Sequence, residues 1–158
     1  GMDRSDRLET LVTKYESTLF RAALAILGDV PEAEDAVQDT FLRYLEKSPE
    51  FRDEGHERAW LLKVTANGCK SRLRSRKRRR TQELPDSLPA PEDGSREVLA
   101  AVMALPANQR AAVHLYYYEG YSTGEIAAIL GQRPGTVRSH LSRARDALRE
   151  TLKGDVTL

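Results

Sequence analysis

Cysteine is nearly missing from this chain of 158 residues, and histidine is scarce. The single cysteine, Cys69, excludes an intrachain disulfide and a cysteine-based zinc site. His56, His114 and His140 are scattered and make no ligand cluster, so neither a metal nor a cofactor is expected. No apolar run reaches the length of a membrane span and no signal peptide is visible. A soluble, cytoplasmic protein without membrane contact of its own is the expectation. Gly1 ahead of Met2 reads as an expression-tag remnant and is set aside. Also missing are the clustered carboxylates or histidine base that hydrolysis of a nucleic acid would need. The acids fall on helical faces or in a Pro-rich stretch, so no enzyme is expected. Strand-like alternation is absent as well, and the chain reads as all-α.

Net charge is low, at +1, but the sum conceals a strong asymmetry. Residues 1–56 hold 7 Lys/Arg against 13 Asp/Glu, and residues 57–80 hold 10 against 1. Residues 81–104 hold 1 against 5, and residues 105–158 hold 7 against 5. An acidic head, an intensely basic segment, an acidic connector and a mildly basic tail imply separate surfaces for separate partners, at least one of them a polyanion.

Helical periodicity organises the first half. A helix is predicted from about Arg4 to Leu27, with Leu8, Leu11, Val12, Tyr15, Leu19, Ala22, Ala23 and Ile26 inward. Gly28-Asp29 ends it, and Asp29 with Pro31 opens a second helix. There Ala33, Ala36, Val37, Thr40, Phe41, Tyr44 and Leu45 form the buried side. The opposite face shows Glu34, Asp35, Gln38, Asp39, Leu42 and Arg43. A lone exposed Leu is ordinary, yet an apolar anchor among acids also suits docking onto a basic protein surface.

Residues 48–56 read as a loop. A third helix is predicted from near Glu57 to about Arg78, with Ala59, Leu62, Ala66, Cys69 and Leu73 inward, which makes Cys69 a small core residue rather than a nucleophile. Lys63, Asn67, Lys70 and Arg74 form a separate stripe. The end of this helix adds Arg72, Arg76, Lys77, Arg78, Arg79 and Arg80. A basic tract alone fits a solvated face or a localisation signal. Extending a stripe that combines cations with an amide, it favours contact with a nucleic-acid backbone.

Residues 81–94 contain three prolines and no helical period, so they read as an extended linker between two small helical domains, 2–80 and 95–158. A short helix over 95–105 is expected to bury Val98, Leu99, Val102, Met103 and Leu105. Pro106 breaks it. The next helix, 107–119, turns Ala111, Ala112, Leu115 and Tyr116 inward, leaving one or two of Tyr116, Tyr117 and Tyr118 for the surface.

From Ser122 to Glu150 the chain reads as a helix-turn-helix. Ser122 and Glu125 have capping-box spacing, Gly131 suits a left-handed helix end, and Pro134 suits the first turn of the next helix. Val137, Leu141, Ala144 and Leu148 recur as one apolar stripe. Thr136, Arg138, Ser139, Ser142, Arg143 and Arg145 face outward, a basic and hydroxyl-rich face fit for a major groove. Taken by itself, the pattern also suits an ordinary helix pair.

These segments together resemble the extracytoplasmic-function group of bacterial RNA polymerase sigma factors, the smallest members of the primary sigma family. PEAEDAVQDTFLRYLEK followed by HERAWLLKVTANGCKSRLRSRKRRR is similar to the family's region 2. LPANQRAAVHLYYYEGYSTGEIAAILGQRPGTVRSHLSRARDALRETL is similar to region 4. The resemblance covers almost the whole chain in the right order. It implies that Asp35, Gln38, Asp39, Leu42 and Arg43 dock on the coiled coil of the polymerase β′ subunit. It further implies that the loop from Phe51 to His56, with Lys63, Asn67, Lys70 and Arg74, melts the minus-ten element and holds a flipped base of the displaced strand. Thr136, Arg138, Ser139, Ser142, Arg143 and Arg145 then read the minus-thirty-five element, while Val113 and the surplus tyrosines meet the β flap. Core polymerase, promoter DNA and an anti-sigma factor are the implied partners. Two positions depart from the family pattern: Ser71, where many members carry Asp, and Arg133, where a better N-cap is frequent. The competing reading is a helix-turn-helix regulator that binds duplex DNA without acting as a sigma subunit. It accounts for residues 105–150 only.

Overall fold

The computed structural model describes residues 3–79 and 95–153. All regular structure among them is helical, arranged in two compact units, α1–α3 and α4–α7. The stretch 81–94 expected as a linker lies outside the described residues, as do Arg80 and the side chains of residues 77–79.

The first unit holds α1 (Arg4–Leu27), α2 (Val30–Lys47) and α3 (Glu54–Arg79), each against the other two. Local chemistry sets their ends. Asp3 Oδ1 accepts from the Asp6 amide at 2.8 Å, and Asp29 Oδ2 accepts from Glu32 at 2.8 Å, satisfying donors that a helix start leaves open. Gly28 closes α1 at φ 69°, a left-handed geometry with a clear preference for glycine. Leu11, Tyr15, Leu19, Leu62, Ala66 and Cys69 are buried, as the spacing requires. Leu27, Leu61 and Thr65 are equally buried although the sequence pattern left them out.

Thr65 meets Thr40 across the α2–α3 interface, Oγ1 to Oγ1 at 2.8 Å. Each hydroxyl also reaches its own carbonyl four residues back, Ala36 at 2.9 Å and Leu61 at 2.8 Å. A hydroxyl carries one proton, so two protons serve three contacts, and both threonines stay satisfied in either arrangement. At the start of α3 the expectation needs correction. The helix begins at Glu54, not near Glu57, because Asp53 Oδ1 accepts from the His56 amide at 2.7 Å and the Asp53 carbonyl accepts from Glu57 at 3.2 Å. The loop is correspondingly shorter.

In the second unit, α4 (Ser95–Met103) buries Ala101, while Val98, Leu99, Val102 and Met103 are only half-buried. Arg110 of α5 (Ala107–Val113) is buried and donates to the carbonyls of Met103 at 3.2 Å and Leu105 at 2.9 Å, placing a cation at the negative end of α4. The helix expected over 107–119 is not continuous. From His114 to Tyr118 the chain widens into a π-helical turn, with the Glu119 amide donating to the His114 carbonyl at 3.1 Å. Underwinding makes the following side chains lag behind α-helical azimuths. Leu115 stays buried, whereas Tyr116, expected inside, is 36% exposed.

α6 (Thr123–Leu130) opens with a complete capping box: Ser122 Oγ accepts from the Glu125 amide at 3.1 Å, and Glu125 Oε1 accepts from the Ser122 amide at 2.9 Å. Gly131 at φ 66° turns the chain into α7 (Pro134–Thr151), whose Val137, Leu141 and Ala144 are buried. Arg133 makes no side-chain cap.

Candidate nucleic-acid interface

Because Val137, Leu141 and Ala144 consume one side of α7, the opposite side is left to solvent. Thr136, Arg138, Ser139, Ser142 and Arg143 are all exposed there. Arg145 is half-buried and differs from them: its Nε donates to Tyr117 Oη at 2.6 Å, and its guanidinium lies over the Tyr116 and Tyr117 rings. His140, between these arginines in sequence, is pushed below its ordinary pKa, first by burial and then by Arg143.

On α3, Lys63, Asn67 and Arg74 are exposed and Lys70 is half-buried. Burial, and secondarily the neighbouring Arg74, holds the Lys70 ammonium below its usual range. At the N-terminal end of this stripe the structure brings Phe51 and His56 together, ring centroids 5.2 Å apart. Phe51 also stacks on Tyr44 at 6.3 Å and meets Trp60 edge-on at 5.8 Å. Its faces are therefore largely occupied within the fold. His56 Nδ1 accepts from the Arg52 amide at 3.1 Å, which orders the loop. Trp60, missed at the sequence level, stands between His56 and Lys63 on the same helical stripe. Spacing could have found it, at i+4 from His56 and i−3 from Lys63.

The outward face of α2 presents Asp35, Gln38, Asp39, Leu42 and Arg43, all exposed, with Leu42 at 56%. Leu42 stands on a ridge between two grooves. One lies between α1 and α2 and is lined by Leu8, Val12, Phe20, Phe41, Leu42 and Leu45 among others. The other lies between α2 and α3, where Asp39, Leu42 and Arg43 share a wall with Asn67, Gly68 and Ser71. A side chain at Gly68 would meet nothing within 4 Å, so this groove is open at its floor.

Two arginines expected to extend the nucleic-acid surface are placed otherwise. Arg72 pairs with Asp39, and Arg76 pairs with Glu32 while donating to the Leu27 carbonyl at 3.1 Å. Both turn toward α2, because at about 100° per residue they fall on nearly the opposite side of α3 from the Lys63–Arg74 stripe. Among the described residues no group of three His, Cys, Asp or Glu side chains is placed to hold a metal ion, and no helix is long and apolar enough to cross a membrane.

The two units coincide with two recognised modules. Residues 11–79 match the family model of sigma-70 region 2, and residues 95–148 match that of sigma-70 region 4. The ECF RNA polymerase sigma factor SigL of Mycobacterium tuberculosis is 34% identical over 157 residues, covering 92% of this chain and 89% of SigL. SigE of Mycolicibacterium smegmatis, also described as an ECF sigma factor, is 34% identical over 157 residues; the match covers 91% of this chain and 61% of SigE's length. Among solved structures, the sigma factor RpoE of Bartonella quintana, crystallised with the anti-sigma factor NepR, superposes with a TM-score of 0.78 at 29% identity. That match covers 94% of this chain and 98% of RpoE's. The chain belongs to the ECF family of RNA polymerase sigma factors, non-enzymatic subunits that direct promoter recognition.

Proposed function

We propose that the three faces divide the labour of initiation. α2 docks on core polymerase through Asp35, Gln38, Asp39, Leu42 and Arg43, with the β′ coiled coil as counterpart. The Phe51–His56 loop and Lys63, Asn67, Lys70 and Arg74 hold the displaced strand of the minus-ten element. α7 binds the upstream box through Thr136, Arg138, Ser139, Ser142, Arg143 and Arg145, and Val113 with the exposed tyrosines meets the β flap. Residues 2–80 and 95–158 act as the two domains of this division, with 81–94 setting their reach, and the place of action is the cytoplasm. The likeness to a sigma factor crystallised with an anti-sigma factor extends the reading to an inhibitory partner of that kind.

The observation that carries the reading is the coexistence, in one small unit, of an exposed acidic face with an apolar anchor and a separate cationic stripe. A regulator that only binds duplex DNA has a use for the cations but none for the acidic face with its apolar anchor. The experiment is transcription by purified bacterial core polymerase with the full chain added, over a pool of promoter fragments. Initiation from a few fragments sharing two spaced boxes is the expected result. Duplex binding without core association or initiation points instead to the plain regulator. Within the same assay, Arg143→Ala is expected to weaken upstream-box binding by about 1–3 kcal/mol while core binding is unchanged. Equal loss of both would mean that the duplex-facing surface lies elsewhere.

A further inference from the structure

We propose that Tyr117 is a positioning residue for Arg145, and that the two form a preorganised phosphate contact in the C-terminal half of α7. The inference rests on the reading of α7 as the duplex-facing helix. Arg138 and Arg143 are exposed, and Arg149 pairs only with Asp146 of its own helix at 3.2 Å. Arg145 alone among the described arginines of α7 donates a side-chain hydrogen bond to another element. Its Nε donates to Tyr117 Oη at 2.6 Å, and its guanidinium carbon lies 5.7 Å from the Tyr116 ring centroid and 5.6 Å from that of Tyr117. The two rings meet edge-on at 4.9 Å and form a cradle.

This arrangement uses one of the five guanidinium donors and leaves both terminal nitrogens open, the fork that suits phosphate oxygens. An arginine free in solvent loses rotamer freedom on binding. One already held by the Tyr117 hydroxyl and set beside the Tyr116 ring loses less, so the gain appears as affinity. Position argues for phosphate rather than a base edge, because recognition helices read bases from their N-terminal residues and Arg145 lies about three turns into α7. The π-helical turn is what delivers the cradle. It carries Tyr116 out of the buried stripe and leaves Tyr117 59% exposed beside α7, a use consistent with the concentration of such turns at functional sites.

The test is duplex binding by the full chain over a series of salt concentrations, using a duplex selected by the chain from a randomised pool. Each variant is assayed well below its unfolding midpoint, so that loss of folded protein is not read as loss of contact. Tyr117→Phe removes only the hydroxyl and is expected to weaken binding roughly two- to tenfold with the salt slope retained. Arg145→Ala is expected to weaken it further and to reduce the slope by about 0.9, the signature of one lost phosphate contact. Adding Tyr117→Phe to Arg145→Ala should then cost nothing more, since the two side chains act as a unit. Unchanged or tighter binding by Tyr117→Phe, additive losses in the double variant, or an unaltered slope in Arg145→Ala would each overturn the proposal. Arg143→Ala, run in parallel, separates the two levels. If it weakens binding while Tyr117→Phe does not, only the positioning role fails; if it too has no effect, the duplex reading of α7 fails with it.

Discussion

In the first unit, cations near the α2–α3 interface are consumed within the fold: Arg72 on Asp39, Arg76 on Glu32 and the Leu27 carbonyl. In the second, α7 leaves Arg138 and Arg143 open to solvent, and only Arg145 is held by another helix. The residues are chemically alike, yet among the described cations some are spent inside the fold and others face solvent in both helices. What decides is azimuth. On α3 the row of Arg72 and Arg76 faces an acidic neighbour, while Lys63, Lys70 and Arg74 belong to a row that does not. Basic density in a sequence is therefore a poor measure of nucleic-acid surface until each cation has been assigned to a face.

That contrast can be broken most forcefully at Leu42, the apolar anchor on the acidic helix. Leu42→Asp is expected to lower affinity for core polymerase by tenfold or more, about 1.4 kcal/mol or above, while the thermal transition of the chain is unchanged. A collapsed transition would show that Leu42 supports the fold, despite its exposure. Next in size is Arg76→Ala. It deprives the half-buried Glu32 and the Leu27 carbonyl of a charged donor and should destabilise the first unit by about 1.5–3 kcal/mol in denaturant unfolding. An unchanged midpoint would return Arg76 to the open cations.

Arg72→Ala should cost less, up to about 1 kcal/mol, because Asp39 is largely exposed and water screens the pair. The smallest expected effect is one of pH. His140 is held below its ordinary value of 6.5 by burial and by Arg143, so the folded chain favours its neutral form. Above 6.5 that contribution to stability is complete. As pH falls through 6.5 toward the lower folded value, the unfolded chain takes up the proton first and stability declines. A modest loss of midpoint on acidification, reduced in His140→Gln, would match; the same loss in both would place the titration elsewhere.

Much of the fold was legible because its signals are local. Asp29 with Pro31, Ser122 with Glu125, Gly28 and Gly131 mark helix ends through chemistry confined to one turn, and the apolar periods of α1, α2 and α7 followed, with Leu8, Val12, Tyr44, Leu45 and Leu148 only half-buried. What escaped depends on contacts distant in sequence or on a change of helical pitch. Nothing near Arg72 or Arg76 in sequence names Asp39 or Glu32, so both cations were grouped with the open stripe. The π-helical turn has no cap or breaker at its start, and a uniform 3.6-residue period necessarily carried Tyr116 inward. Asp53 as the start of α3 was visible in principle, since an Asp before Glu54 and Glu57 is a good cap. The surrounding Pro, Gly and charges outweighed it. The candidate surfaces were legible to the extent that they follow helical azimuth; Trp60 was missed because the stripe was followed through its cations and amide, and an aromatic between His56 and Lys63 was not placed on any face.

The lone thiol has a practical consequence. Cys69 is fully buried at the centre of the first unit, and burial pushes its pKa up to about 12. The thiolate, which is the form that reacts, is therefore scarce at neutral pH and out of reach of reagents in the folded state. Cys69 in the folded chain is a poor sensor of oxidants. For the experimenter the same fact removes a complication. A cysteine introduced at exposed Lys63 or Thr136 can be labelled selectively with the native residue left in place, and Cys69 reacts only when the unit unfolds, so its modification rate reports opening of the first unit alone.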